Sequence, residues 1–365
     1  MRKWFNLLAL KGRTLNYTSC VIGFLLCSIL PNTATAVVIL QYHHVSDTTP
    51  KRTSVTPAQF AEQMQYLADN DYQVISLTDA VTDIKNQQEE ESKQVVITFD
   101  DGYDSIFTQA APILAKHQFP YTVFLSVDPI DAGYEGMMTW EQVKQLSDQG
   151  VIIANHTKGH EHLIRQLDNE TISQWRQRVK QNLLDTEQRI NQQTGQSVML
   201  LAYPYGEYHT QLEALVAELG FVAFGQQSGA AGKYSSLTAL PRFPIADAYA
   251  DLQSLRVKFS SLNMPVLKQN ITDPLLAFGQ WQPQLKLTID TQDIYPHQVM
   301  CFIQGQGSQQ PAWINENTFT IQATTALNPG RTRYNCTAPS KSKGDYYWFS
   351  QPWIRTKDDG TWVEE

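Results

Sequence analysis

Between residues 37 and 262, short apolar runs alternate with longer stretches whose apolar positions recur every three or four residues. The runs at 37–42, 95–99, 121–127, 151–154, 199–203 and 221–224 are largely apolar, which predicts short strands buried on both faces. Between them the spacing predicts helices over 57–70, 105–117, 139–149, 170–193, 210–219 and 247–262. Thr56 ahead of Pro57 reads as an N-cap followed by proline at the first helical position. Gly195 reads as the C-terminal glycine of the long helix. Strand–helix alternation implies a parallel sheet with helices outside it, a pattern that an open doubly wound sheet and a closed barrel share. In either, a site belongs at the carboxyl ends of the strands, and the polar residues Asp100, Asp101, His156, His160 and Tyr205 follow three of the runs.

After Pro265 the helical period stops. Short alternating segments at 285–289, 299–303, 318–321 and 346–349, punctuated by Asn, Pro and Gly, predict a small all-β domain of sandwich type. The expected division is therefore 37–264 and 265–365. Ahead of it, Arg2, Lys3, Lys11 and Arg13 precede an apolar run from Val21 to Leu30, then Pro31 and Ala34-Thr35-Ala36. This reads as a signal peptide over 1–36, cleaved after Ala36, and places the protein in the periplasm or outside the cell. The competing reading is an uncleaved anchor in the inner membrane. With the signal removed, no membrane span is expected.

The formal net charge is -8. Removing the four basic residues of the leader makes it -8 - 4 = -12, which argues against a nucleic-acid partner. Cys20 and Cys27 leave with the leader, so Cys301 and Cys336 remain, and two thiols in an exported chain predict a disulfide in the smaller domain.

Three segments carry candidate chemistry. Thr98-Phe99-Asp100-Asp101-Gly102-Tyr103 ends an apolar run with two carboxylates, which are costly to bury without a cation or donors. Successive side chains diverge, so one carboxylate can hold a metal while the other takes a proton. The alternative is an N-cap aspartate and a turn glycine. In Asn155-His156-Thr157-Lys158-Gly159-His160-Glu161-His162, His156 and His160 are four apart, which would bring both imidazoles to one side of a helical turn. Two His and one carboxylate make an open metal site, with Asn155 or Thr157 orienting a ligand and His162 as support. The alternative is a His-rich surface loop. Ala202-Tyr203-Pro204-Tyr205-Gly206 predicts a tight turn in which Tyr205 and a nearby backbone N–H stabilise an oxyanion, or else a structural corner.

Together these segments resemble the NodB-type polysaccharide deacetylases, carbohydrate esterase family 4, over residues 37–262. The resemblance implies a distorted (β/α) barrel and removal of acetyl groups from a polysaccharide. It implies Asp100 as general base, with Asp101, His156 and His160 holding a divalent metal, Zn2+ or else Ni2+ or Co2+. Tyr42-His43-His44-Val45-Ser46-Asp47 resembles the start of the subgroup that deacetylates poly-β-1,6-N-acetylglucosamine. Two departures stand out. Ala202 takes the place of the Arg that holds the base, and Arg242 is the candidate to replace its charge. The late Leu-x-His motif that supplies the general acid is missing, and His43, at the end of the first strand, is the candidate substitute. Trp140, Tyr134 and Tyr103 are candidates to stack on sugar rings. An O-acetyl esterase acting on xylan or peptidoglycan, and a glycan-binding protein with a degenerate site, are the rival readings.

Overall fold

The computed structural model describes residues 36–87 and 93–364. The expected signal peptide lies outside the described residues, apart from Ala36. Seven strands form one parallel sheet: β1 (Val37–Tyr42), β2 (Gln94–Phe99), β3 (Thr122–Leu125), β4 (Ile152–Asn155), β5 (Leu200–Ala202), β6 (Val222–Phe224) and β7 (Phe243–Pro244). Their order is β7-β1-β2-β3-β4-β5-β6, with a short strand, Gln73–Val74, also pairing β2. One segment joins the two edges: Leu240 bridges to Phe224 of β6, and two residues later β7 pairs with β1. The sheet thus curls into a distorted (β/α) barrel, the fold that the resemblance implies.

The strands form because their side chains are apolar on both faces. All six residues of β1 and all six of β2 are buried. Val38, Leu40, Val95 and Ile97 pack outward under the helices, while Ile39 and Val96 join Phe124, Ala202, Phe224 and Leu240 in a separate inner cluster. Gln41, Thr98 and Asp100 fall on the inward alternation and carry polarity into the barrel mouth.

The helices end where local chemistry stops them. Thr56 caps Pro57–Asp69 through a reciprocal bond with Gln59, and Gly195 closes Ile172–Thr194 at φ 75°. The helix expected over 105–117 opens with a π-helical turn, Ile106–Ala110, before Ala111–His117. Pro112 has no N–H, so the α ladder is interrupted there. The helix expected over 247–262 is two pieces, Asp247–Ala250 and Leu252–Phe259. Asp251 is extended between them, and its side chain caps Ser254. Leu77–Asn86, capped by Ser76, is a helix the periodicity did not predict.

From Leu262 onward the chain is all β. Gly330–Pro339 and Tyr346–Arg355 form a long hairpin at the centre of a five-stranded sheet that also holds Met300–Ile303. A four-stranded sheet around Gln284–Ile289 and Thr318–Gln322 covers its inner face. Leu285, Leu287, Phe319, Ile303, Tyr334 and Trp353 make the core between them. Cys301 and Cys336 face each other across two strands and form a disulfide. Barrel and sheets belong to one compact unit. Among the described residues no helix is long and apolar enough to cross a membrane.

Candidate metal centre and active site

β2 delivers Asp100 and Asp101 to the barrel mouth, and Gly102 makes the turn that follows. Gly102 sits at φ 96°, and a Cβ there would lie 2.6 Å from Leu125 Cδ2, so both backbone and space require glycine. Asp100 is fully buried. Arg242, also fully buried, donates from Nη1 to Oδ1 at 2.7 Å and from Nη2 to Oδ2 at 2.8 Å, a two-pronged pair. Gln41 donates to Oδ2 at 2.6 Å. The guanidinium is held in turn by the Gly225 carbonyl and the Thr98 hydroxyl, and it lies over the Phe124 ring. Burial alone would raise the Asp100 pKa. The Arg242 charge overrides it and holds the carboxyl below its ordinary range. Arg242 comes from the segment that closes the barrel, 142 residues from Asp100.

Asp101 turns the other way, at φ 74°. Its Oδ1 lies 3.1 Å from His156 Nε2 and 3.3 Å from His160 Nε2. The three ligand atoms fall within 4.8 Å of one another. The two imidazoles do not share a helical turn, as their spacing of four predicts. They sit in a loop after β4 in which Thr157 and His160 both take left-handed backbone, φ 70° and 61°. Asn155 Oδ1 accepts from the Thr157 N–H, and Thr157 Oγ1 accepts from the His160 N–H. These two bonds support a conformation that a β-branched residue rarely adopts. Asn155 is itself held by Leu183 and Glu187 of the long helix.

The donor set fits a divalent cation. His156 Nδ1 lies 2.7 Å from the Ala202 carbonyl, so that nitrogen carries a proton and Nε2 is the atom aimed at Asp101. Burial disfavours a charge on the ring, but Asp101 and Asp100 outweigh it and raise its pKa, so Nε2 holds either a proton or a cation. Nε2 faces a carboxylate oxygen, and both atoms are buried without a hydrogen-bond partner. With Nε2 unprotonated, two buried acceptors at 3.1 Å repel unless a cation, a proton or a metal ion, lies between them. Burial and the neighbouring His156 lower the His160 pKa to about 4, which keeps that ring neutral and able to ligate.

Tyr205 stands over the cluster at φ 58°. Its ring meets His160 edge-on at 4.4 Å and stacks on His162 at 3.9 Å. His162 Nδ1 lies 2.7 Å from Glu207. Arg331, from the C-terminal hairpin, reaches the same carboxylate at 3.2 Å and lies over the Tyr205 ring. Gly206 keeps this turn tight, since a Cβ there would meet the Gln226 backbone nitrogen at 2.8 Å. His43 is half-buried at the end of β1, within electrostatic reach of Asp101 and His160. His44 stacks on Tyr103 at 3.6 Å, and burial followed by the Asp101 charge pushes the Tyr103 phenol well up. Trp140 instead donates to Asp131 beside Arg189, and Tyr134 is exposed.

Sequence reasoning missed Gln41, Glu207 and Arg331. Gln41 left a signal, an amide at an inward position of a buried strand. Glu207 and Arg331 are 124 residues apart and left none.

The fold and the cluster define a class, a parallel (β/α) barrel with a carboxylate–His–His site beside a buried carboxylate at the carboxyl ends of its strands. Residues 87–224 match the family model described as polysaccharide deacetylase. Over those residues the chain is similar to polysaccharide deacetylase domains of the NodB type, and relatives it matches are named as deacetylases. It is 28% identical over 209 residues to YxkH of Bacillus subtilis (strain 168), named for polysaccharide deacetylation, covering 57% of this chain and 71% of that one. It is 22% identical over 295 residues to the poly-beta-1,6-N-acetyl-D-glucosamine N-deacetylase of Escherichia coli (strain K12). That match covers 71% of this chain but 41% of the relative, so the chain spans less than half its length. The Streptococcus pyogenes deacetylase PplD, solved in complex with acetate, shares the fold with a TM-score of 0.56 and 23% identity, over 62% of this chain and 99% of that one.

Proposed function

We propose that this protein hydrolyses N-acetyl groups on an N-acetylglucosamine polysaccharide, of the poly-β-1,6-linked or chitin type, and releases acetate. One observation carries the reading: Asp101, His156 and His160 converge, the first two with buried ligand atoms that lack a hydrogen-bond partner, beside an Asp100 held ionised by Arg242. Asp101, His156 and His160 would hold Zn2+, or Ni2+ or Co2+. Such an ion polarises an acetyl carbonyl and lowers the pKa of water. Asp100 takes a proton from the attacking water. Its two oxygens accept three hydrogen bonds and keep lone pairs for that proton. Arg242 and Gln41 fix the carboxylate and are positioning residues. The turn at Tyr205 covers the cluster and supplies a donor to the developing oxyanion. In this reading His43 protonates the leaving amine.

In this reading residues 37–264 are the catalytic domain and 265–365 a β domain that packs beside it. The basic and apolar opening of the chain supports delivery to the periplasm or the exterior.

The test is acetate release by zinc-reconstituted protein from acetylated glucosamine oligomers, with acetylated xylan as the comparison. Asp100→Asn should abolish release while leaving one zinc per chain. Full turnover by that variant overturns Asp100 as base. Faster release from xylan than from the amino sugars overturns the substrate class.

A further inference from the structure

The long C-terminal hairpin does more than reach Tyr205. Along Gly330–Pro339 alternate residues point outward, so Arg331, Arg333, Asn335 and Thr337 line one face of the five-stranded sheet. That row is roughly 20 Å long. Its first member lies over Tyr205, whose ring touches the metal ligand His160. Its later members have neighbours in register: Phe302 beside Asn335, Met300 beside Thr337, and Trp348 on the other side. Segments leaving the carboxyl ends of β6 and β7 form the opposite wall, including Gln226, Pro244 and Ala246. Between the walls runs a cleft of about 920 Å³.

The lining has the chemistry of a sugar site. Tyr249, Phe302 and Tyr346 are 57%, 45% and 44% exposed, and Trp348 is half-buried. Rings exposed in a cleft stack on the C–H faces of pyranoses, while Gln226, Gln304 and Asn335 offer hydrogen bonds to hydroxyls and amides. Apolar side chains grouped on an open sheet face mark a binding surface. The charge is selective as well. Arg52, Lys258 and Arg333 line the cleft against one carboxylate, Asp247. A cationic wall accepts a neutral acetylated chain and repels one that carries free ammonium groups.

We propose that this cleft holds the polysaccharide on one side of the reacting residue and prefers its acetylated form; this rests on the deacetylase reading. The C-terminal β region is then a substrate platform linked to the metal site through Arg331 and Tyr205, and repulsion of the amine product favours release.

The experiment compares wild type with Phe302→Ala/Tyr346→Ala, both on the open face and outside the core, using zinc-loaded full chain. Retention on insoluble acetylated β-linked glucosamine polymer and kinetics on its dimer and hexamer are measured. The double variant should raise KM for the hexamer roughly tenfold, leave the dimer unchanged, and lose retention of the polymer. Chemically deacetylated polymer should be retained less than acetylated polymer, and Arg333→Ala should narrow that gap. Unchanged retention by the double variant, or equal effects on dimer and hexamer, overturns the proposal. So does sedimentation showing that the substitutions only dissociate a dimer. If wild type turns over no glycan, the deacetylase reading fails and retention alone judges the cleft.

Discussion

Asp100 and Arg242 are each fully buried, so each ion is tolerated only because of the other. Removing one partner leaves an uncompensated charge in a low-dielectric interior, which typically costs about 3–5 kcal/mol. Arg242→Met should therefore lower stability by about that amount in urea titration and abolish acetate release. Arg242→Met combined with Asp100→Asn removes both charges, so it should recover part of the lost stability and none of the activity. A double-variant loss equal to the sum of the losses in Arg242→Met and Asp100→Asn would show that the pair is not energetically coupled. The residues of this pair are legible in the sequence to different degrees. Asp100 stands out because two acids end an apolar run. Arg242 stands out only against the missing Arg at Ala202, and nothing local says that its segment closes the barrel.

At the scale of elements, the strands were legible because barrel strands are apolar on both faces, and their ends fell within a few residues of where polarity begins. The loop after β4 was not. A spacing of four reads as one helical turn, but Thr157 and His160 reverse the backbone twice, and two short side-chain bonds hold them there. Such bonds depend on Asn155 being clamped by Leu183 and Glu187 from a helix that begins 17 residues later, at Ile172. Asn155→Ala removes the clamp without touching a ligand. Groups that orient metal ligands typically contribute 10- to 100-fold to affinity, so zinc binding, read by chelator competition, should weaken by roughly that factor. Circular dichroism should stay native. Unchanged zinc affinity would mean that the loop holds its shape through packing alone.

At the scale of the molecule, two folds that each own a core share, among their contacts, one buried carboxylate. Glu207 is buried at the barrel mouth, where it faces His162 of the loop after β4 and Arg331 of the hairpin. Tyr205 lies between the same two partners, stacked on His162 and beneath Arg331. The ring that meets His160 edge-on is thus held from both sides, once from within the barrel and once from 126 residues further along the chain, a coupling that no local pattern announces. Arg331 is partly exposed, so its contribution to global stability is small. A cation over an aromatic face is worth about 0.5–2 kcal/mol, which bounds the catalytic effect at about thirtyfold. Arg331→Ala should lower kcat on the acetylated dimer by several-fold, within that bound, with Tm nearly unchanged. Arg331→Lys keeps a charge but not the planar fork and should recover part of the rate. If the role were only to glue the β region to the barrel, Tm would fall and kcat would hold. The opposite split, with kcat lost and Tm kept, is what a hairpin that positions Tyr205 requires.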